Sequence, residues 1–285
     1  MTISESYVAI DGAELFVREA GHGRPILVIH GGPDFDHSYL LPGLDRLADS
    51  YRLIYYDQRA RGRSRGDLRL EEIDIDRYVE DLDRLRQHLR LESAALLGHS
   101  WGGCVALHYA LRHPERVSHL ILLNTAPASH EDVAAMRAER SRRSAPHRVR
   151  LDQLASSVAY EQGDPETVAE YYRIDFATTF KRPEDSRRLN LTWKREDILK
   201  GRAIEDRLSR GLYWVEGFTI LPELRKLRVP TLVIHGERDF FPLASSARIA
   251  EAIPGARLVT LPDSGHFSYV DAPEQVHEAI DGFFR

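Results

Sequence analysis

A serine lies at the centre of a glycine-rich turn, Gly98-His99-Ser100-Trp101-Gly102-Gly103. The apolar stretch 94–97 leads into this turn, and the helix-compatible stretch 104–111 leads out of it. A serine on such a strand-to-helix turn is held in a sharp elbow that leaves its hydroxyl exposed. Because the pattern G-x-S-x-G is common by chance, Ser100 is a candidate nucleophile only if the chain also supplies a base and an acid.

Two polar residues follow apolar, strand-like runs in the last quarter of the chain. Asp239 comes just after the run 231–235, and His266 comes just after the run 256–261. A serine hydroxyl needs a histidine to take its proton, and that histidine needs a carboxylate to orient it. The order serine, acid, histidine is the one found in doubly wound hydrolases. The sequence therefore predicts Ser100, Asp239 and His266 as a catalytic triad.

Rival residues exist for the acid and the base. Asp263 is close to His266 in sequence, but an aspartate there more often shapes a turn, and Glu237 could pair on the surface. Some enzymes of this class carry the acid after the preceding strand, which here ends in Asn124 with no carboxylate nearby. Three histidines that flank special turns are more often structural than catalytic: His30, His99 and His235.

Acyl transfer also needs donors for an oxyanion. The residue after the nucleophile supplies one backbone N–H, here that of Trp101. The second comes from a loop after an earlier strand, and the loop His30-Gly31-Gly32-Pro33 follows the apolar run 25–30. Glycine lets the backbone approach a substrate closely. Gly32 is the first candidate and Gly31 the second, while a simple turn is the alternative interpretation of this loop.

The composition bounds the class of protein. The chain has 285 residues and a formal net charge of −5, which gives no electrostatic case for nucleic-acid binding. A single cysteine, Cys104, excludes an intrachain disulfide framework. We find no signal-peptide pattern and no apolar run long enough to span a membrane, so we expect a cytoplasmic protein. The H-E-x-x-H motif and a tight His/Cys cluster are both missing, so no metal is expected.

The elements that must position these residues follow a regular alternation. Continuous apolar runs separated by amphipathic helical patterns predict a parallel sheet covered on both faces. The predicted strands are 25–30, 53–56, 94–97, 120–123, 229–235 and 256–261. The predicted helices include 73–91, 243–253 and 273–284. The alternation stops between 129 and about 215, which predicts an α/β core formed by 1–128 and 216–285 and a helical cap formed by 129–215.

With these residues in place, the chain resembles the α/β-hydrolase superfamily and, within it, the proline iminopeptidase group of serine peptidases. The resemblance runs from Tyr7 to Phe284. It rests on H-G-G-P at 30–33, Y-D-Q-R-A-R-G-R-S at 56–64, G-H-S-W-G-G at 98–103, G-E-R-D at 236–239 and S-G-H at 264–266. It implies a mostly parallel eight-stranded sheet, a helical cap over the active site, no cofactor, and a bracing role for Asp57 and Arg59.

The chain departs from this group at positions that bear on the substrate. Asp34 and Ala60 replace common glycines, and Phe240 and Phe241 directly follow the acid. Phenylalanines suit an apolar acyl or aryl group, whereas a free amine needs a carboxylate. Cap glutamates could supply one: Glu161, Glu170, Glu205 and Glu216.

The sequence thus predicts a serine hydrolase of short peptides, amides or esters, aminopeptidase-like or esterase-like. A non-catalytic ligand-binding protein on the same fold is a further alternative. Epoxide hydrolases and haloalkane dehalogenases are disfavoured, because they carry an aspartate where this chain has Ser100. The oligomeric state is left open.

Overall fold

The computed structural model describes residues 2–67 and 69–285, and it contains one twisted sheet. The strands run in the spatial order β1-β2-β4-β3-β6-β7-β8-β9, with the short β5 paired to β2. The pairs β1/β2 and β2/β4 are antiparallel, and every pair from β4 to β9 along this order is parallel. The nine strands are β1 (Ile3–Ile10), β2 (Ala13–Ala20), β3 (Arg24–Ile29), β4 (Tyr51–Tyr56), β5 (Arg65–Gly66), β6 (Ala94–His99), β7 (Val117–Leu123), β8 (Thr231–Gly236) and β9 (Arg257–Leu261).

The six predicted apolar strands are confirmed as β3, β4, β6, β7, β8 and β9. The expected eight strands form the main path, and β5 is an additional ninth. This two-residue strand is exposed and too short to produce an apolar pattern, which is why the sequence does not predict it. All six residues of β6 and of β8 are buried, as expected for central parallel strands covered on both faces.

Eleven α-helices are assigned within the described residues. They are α1 (Ile75–His88), α2 (Trp101–Arg112), α3 (His130–Ser144), α4 (Arg148–Ala155), α5 (Val158–Glu161), α6 (Pro165–Ala177), α7 (Arg195–Leu208), α8 (Leu221–Leu224), α9 (Leu243–Ala252), α10 (Ser268–Asp271) and α11 (Pro273–Phe284). The predicted helices 73–91, 243–253 and 273–284 correspond to α1, α9 and α11.

Helices cover both faces of the sheet. Alternate residues of each strand point to opposite faces, so neighbouring side chains pack against different helices. On β6, Leu96 packs in one apolar cluster with Leu82 of α1. Its neighbour Leu97 packs in a second cluster with Val276 and Ile280 of α11. The sheet is therefore the middle layer of three, and its strand ends are free to carry functional loops.

Helices α3 to α7 lie between β7 and β8, where the strand pattern of the sequence stops. An isolated bridge joins Ser129 and Thr219 near the two ends of this insertion. Phe180 stacks on Phe267 with ring centroids 5.3 Å apart, so the insertion packs against the loop that carries His266. The cap domain with the boundaries 129–215 stays a prediction. Among the described residues, no helix is both long enough and apolar enough to cross a bilayer.

Candidate active site

The serine elbow is a strained turn between β6 and α2. Ser100 has φ 55° and ψ −122°, a conformation that a non-glycine residue rarely adopts. Its N–H donates to the carbonyl of Leu123 on β7, and its own carbonyl accepts from the N–H groups of Gly103 and Ala126. Ser100 keeps partial exposure while its neighbours on both sides are buried. The turn thus presents one hydroxyl at the carboxyl end of the sheet.

The elbow requires small residues at the start of α2. A methyl group on Gly102 would overlap the carbonyl oxygen of Ile29 on β3, and one on Gly103 would overlap the side chain of Thr125. Ile29 is the last residue of β3 and cannot retreat without moving the sheet, and Thr125 lies in the loop just after β7. The glycines of the motif are therefore required by the close approach of α2 to the sheet.

Replacing Gly102 by alanine is expected to lower the free energy of unfolding by about 3 kcal/mol, because the added methyl meets backbone. The matched control is Gly282→Ala in α11, where a methyl group would meet no atom within 4 Å. That control should be neutral or stabilising by up to about 1 kcal/mol, since alanine is the better helix former. Urea denaturation of both variants measures the difference, and equal stabilities would contradict this account of the elbow.

The predicted acid and base lie together at the ends of β8 and β9. Nδ1 of His266 is 3.0 Å from Oδ1 and 3.1 Å from Oδ2 of Asp239. The side-chain amide of Asn124 donates to Oδ2 of Asp239 at 2.9 Å, and the N–H of Phe241 donates to Oδ1 at 3.0 Å. Three donors therefore converge on one carboxylate, and the two from Asn124 and Phe241 hold it in the position that orients the imidazole.

Asp239 is fully buried but favours its ionised form. Burial alone would raise the pKa of its carboxyl, but the charge and hydrogen bond of His266 and the N–H of Phe241 outweigh burial and lower it. The rings of Phe240 and Phe241 lie 4.5 and 4.8 Å from the imidazole of His266, centroid to centroid. The two phenylalanines thus shield the base from water.

The loop 30–33 lies against the elbow. A methyl group on Gly31 would be 2.9 Å from Cβ of Ser100, so only glycine permits this approach. The N–H of Gly31 donates to the hydroxyl of Tyr39 at 2.7 Å. Gly32 has φ +120° and lines the cavity beside Ser100. Trp101 is the first residue of α2, so its N–H has no acceptor within the helix.

The rival residues have other contacts. Asp263 is exposed and pairs with Lys181 at 3.3 Å. Nδ1 of His235 lies 2.9 Å from the hydroxyl of Ser246. His30 accepts the backbone N–H of Gln58 at Nε2, which leaves Nδ1–H to donate to the carbonyl of Gly31. Glu237 is exposed.

The D-Q-R segment has structural contacts. Arg59 forms a buried bidentate ion pair with Asp81, with N···O distances of 2.8 and 2.6 Å. Asp57 lies beside Asp36 and His37 at a spacing that could suit a cation. However, Asp57 Oδ1 accepts from the backbone and ring of His37, and its Oδ2 accepts from the N–H of Arg63. These bonds join two loops, so we assign no metal to this cluster.

A cavity of about 320 Å³ lies above Ser100 between the sheet and the insertion. It is mostly apolar and aromatic, with Ser100, Trp101, His266, Gly32, Phe240 and Phe241 in its wall. The insertion contributes Val133, Met136, Arg140, Tyr160, Tyr171, Tyr172, Phe176, Glu205, Leu208 and Trp214 to the lining. The rest of the lining is formed by Pro33, Asp34, Phe35, Tyr39, His99, Ala126, Pro127 and Phe267. Of the four candidate glutamates, Glu205 lies in the cavity wall and Glu161, Glu170 and Glu216 do not. Glu161, Glu205 and Glu216 all keep solvent-exposed surface, and Glu170 pairs with Arg150.

Two carboxyl groups, those of Asp34 and Glu205, share this cavity. The negative charge of Asp34, together with removal from bulk water, raises the pKa of Glu205 to about 7, although Arg140 and Arg202 oppose the shift. Arg140 donates from both Nε and Nη2 to Asp175 at 2.8 and 2.6 Å, so its positive charge is already offset. Arg140 is therefore not a free partner for the acidic pair, whereas Arg202, which donates to the carbonyl oxygens of Tyr160 and Glu161, still acts on Glu205.

Three further residues of the site carry no functional motif in the sequence. Asp34 stands out there only as a departure from glycine, yet its Oδ2 accepts from the hydroxyl of Tyr172 at 2.6 Å inside the cavity. Asn124 marks a strand end without a carboxylate, yet its amide bonds to the acid itself. For Tyr39, the only feature of the sequence that could have indicated a place in the site is its position shortly after the H-G-G-P motif.

Comparison with known proteins agrees with this architecture. Residues 24–273 match the family model for the alpha/beta hydrolase fold. A proline iminopeptidase of Clostridioides difficile (strain 630) is 28% identical over 290 residues, which cover 96% of each chain. A proline iminopeptidase-related protein from Thermus thermophilus has a similar structure, with a TM-score of 0.73, 28% identity and coverage of 100% of this chain and 98% of that one.

A thermophilic esterase from Thermogutta terrifontis is also similar in structure. Its TM-score is 0.70 and its identity 25%, and the match covers 100% of this chain and 98% of the esterase. Peptidases and esterases thus both occur among the relatives. The family match spans most of the chain. The chain belongs to the alpha/beta hydrolase fold family and is a hydrolase.

Proposed function

We propose that this protein is a serine hydrolase that works through an acyl-enzyme. The hydrogen bonds between His266 and Asp239 carry the proposal. Because Nδ1–H of His266 donates to the carboxylate, Nε2 is the nitrogen left to act as base. In this mechanism Ser100 Oγ attacks a substrate carbonyl carbon while Nε2 takes the hydroxyl proton, and the imidazolium then protonates the leaving amine or alcohol.

The second half of the reaction uses the same groups. Water gives a proton to Nε2 of His266 and attacks the ester formed on Ser100, and the carboxylic acid leaves as Oγ regains its proton. We assign the oxyanion donors to the N–H groups of Trp101 and Gly32. The N–H of Gly31 is already donated to Tyr39, which favours a supporting role for Gly31 instead of a substrate contact.

Labelling with a fluorophosphonate tests the proposal. Wild-type protein should gain one adduct, mapped by mass spectrometry to the peptide that contains Ser100. Ser264→Ala is the matched control, since Ser264 is a buried serine two residues from His266, and it should label at the wild-type rate. Absence of labelling in folded wild-type protein, or an adduct at another serine, would reject the proposed nucleophile.

The acidic pair favours an acyl group that carries a free amine. A buried ammonium needs a carboxylate to offset its lost hydration, and Asp34 and Glu205 both line the cavity above Ser100. We therefore favour aminopeptidase-like cleavage of short peptides or amides over hydrolysis of uncharged esters. The insertion 129–215 would act as the cap that carries Glu205.

The amine hypothesis predicts a pH dependence of KM. Below about pH 7 Glu205 is protonated and neutral, and above it the side chain is ionised. An ammonium binds better to the ionised form, so KM for a prolyl or alanyl anilide should fall as the pH rises through this value. KM for the same anilide with an acetylated amine should stay constant over this interval. Steady-state kinetics on the two substrates measures the difference.

Glu205→Gln should raise KM for the free-amine anilide about tenfold and remove its pH dependence, since a charge-assisted hydrogen bond is worth about 1.5 kcal/mol or more. Glu216→Gln is the matched control, because this glutamate is an exposed residue outside the cavity. Equal or better turnover of the acetylated substrate would favour the esterase alternative, for which the apolar remainder of the cavity is the supporting observation.

A further inference from the structure

Three buried hydrogen bonds link the loop 30–33 to the base His266 through two side chains that the reaction itself does not use. The N–H of Gly31 donates to Oη of Tyr39 at 2.7 Å. Oη of Tyr39 is 2.6 Å from Nδ1 of His99. Nε2 of His99 is 2.9 Å from the carbonyl oxygen of His266. We call this set of residues, Gly31, Tyr39, His99 and His266, the cross-link.

The direction of each bond is fixed by the chemistry of the groups. The carbonyl of His266 can only accept, so Nε2 of His99 carries the hydrogen. Burial, reinforced by the nearby His266, lowers the pKa of His99 to about 3, so the ring is neutral and Nδ1 is an acceptor. The hydroxyl of Tyr39 therefore donates to Nδ1, which leaves its oxygen lone pairs to accept from Gly31.

The cross-link passes directly behind the nucleophile. His99 is the last residue of β6 and precedes Ser100, while Tyr39 lies in the short 3₁₀ helix His37–Leu40 after β3. Tyr39 and His99 are 2% and 1% exposed, so water does not compete for these bonds. Hydrogen bonds in such surroundings are stronger and more directional than at a surface. One chain of bonds thus sets the separation of two loops that must meet the same substrate carbonyl.

We infer that Tyr39 and His99 are positioning residues that hold the oxyanion-binding loop at a fixed distance from the base. This inference rests on the proposed function, because it needs Gly32 as oxyanion donor and His266 as base. Gly31 precedes Gly32, so loss of the Tyr39 bond frees the peptide next to the donor. The loop keeps its other support, the bond from His30 to the carbonyl of Gly31. The expected effect is a misplaced donor in a folded protein.

Tyr39→Phe tests this inference, because it removes one oxygen and keeps the ring contacts with Phe35 and Phe267. We expect kcat to fall at least tenfold, since loss of a single oxyanion donor lowers kcat about 10²- to 10³-fold and a displaced donor falls short of that. KM should stay within about twofold. Affinity for a boronic acid, which forms a tetrahedral adduct with Ser100, should weaken by the same factor as kcat/KM.

Tyr56→Phe is the matched control. Tyr56 is a buried tyrosine of β4 whose hydroxyl has no hydrogen-bond partner within the described part of the chain. Its kinetics and boronate affinity should be unchanged, whatever the change in melting temperature. A structural role for Tyr39 alone would lower stability and leave kcat of the folded protein at the control value, and that result would overturn the inference.

A second variant that removes a bond of the cross-link tests the inference even if Tyr39→Phe does not fold. His99→Gln keeps a donor for the carbonyl of His266 but has no acceptor at the position of Nδ1. It should lower kcat in the same way, and the double variant should be no slower than the slower single variant. If the kcat of the double variant instead falls by the product of the two single-variant factors, the inference is overturned. Failure of the proposed function is separate, because it would appear as absence of fluorophosphonate labelling in the wild type.

Discussion

Ser100→Ala is expected to reduce kcat by about 10⁶, to the level that substrate binding and the oxyanion donors provide without a nucleophile. Serine and alanine both carry a Cβ atom, so both are equally strained at the φ of 55° found at position 100. The substitution should therefore leave the fold of the turn unchanged. The hydroxyl is the only group lost. Stability should therefore stay close to wild type while turnover disappears, and this combination separates a nucleophile from a structural serine.

The measurement is steady-state hydrolysis of an activated ester and of an aminoacyl anilide, with urea denaturation on the same samples. Ser264→Ala serves again as the control that removes a buried hydroxyl beside the base loop. Residual turnover of Ser100→Ala above one per cent of wild type would contradict the assignment, provided that the preparation is free of wild-type protein.

Asp239→Asn is expected to lower kcat by about 10⁴ with little change in KM. The carboxylate accepts from three donors: Nδ1–H of His266, the amide of Asn124 and the N–H of Phe241. An asparagine has one acceptor oxygen and one NH₂ group, so its NH₂ must face one of these donors. Where it faces His266, the imidazole places its proton on Nε2 and can no longer accept the proton of Ser100.

Kinetics of Asp239→Asn should be compared with those of Asp263→Asn. Asp263 is the neighbouring rival, exposed and paired with Lys181, and its replacement should leave kcat within about twofold of wild type. If kcat fell strongly in Asp263→Asn and only slightly in Asp239→Asn, Asp263 and not Asp239 would be the catalytic acid. That result would contradict the assignment made from the hydrogen-bond geometry.

The parts of the fold that sequence predicts are those with a local pattern. The apolar run before Ser100, the glycines after it and the periodicity of 273–284 are each readable within a few residues. The edge of the sheet is different. β1 has exposed residues along most of its length, so its apolar pattern is weak. The signal for its pairing with β2 is the two-residue turn Asp11-Gly12, where both residues have positive φ, and our strand predictions do not use it.

The candidate triad could be proposed from the sequence because its members follow strand ends, and parallel strands place those ends at one edge. The acidic pair could be predicted only in part: Glu205 is one of four candidate cap glutamates, but sequence does not say which of them faces the cavity, and it does not bring Asp34 next to it. Nor does sequence indicate the bond between His99 and the carbonyl of His266, which joins residues 167 positions apart. Contacts of this kind depend on how the insertion and the loops pack.

The aromatic residues after the acid gain a second role from the structure. The sequence favours an apolar substrate group beside Phe240 and Phe241, and both line the cavity. They also pack against the ring of His266. The apolar pair therefore does not exclude an amine-bearing substrate, since the carboxyl groups that would hold the amine come from the loop after β3 and from α7 instead.

The most direct test of the central claim is to trap the acyl-enzyme. Wild-type protein mixed with an excess of a p-nitrophenyl ester should be quenched in acid within the first turnovers, digested and analysed by mass spectrometry. We expect the acyl group on Ser100, with none in the Ser100→Ala variant. Turnover of the ester without acylation of Ser100, or with the acyl group on another residue, would contradict the acyl-enzyme mechanism.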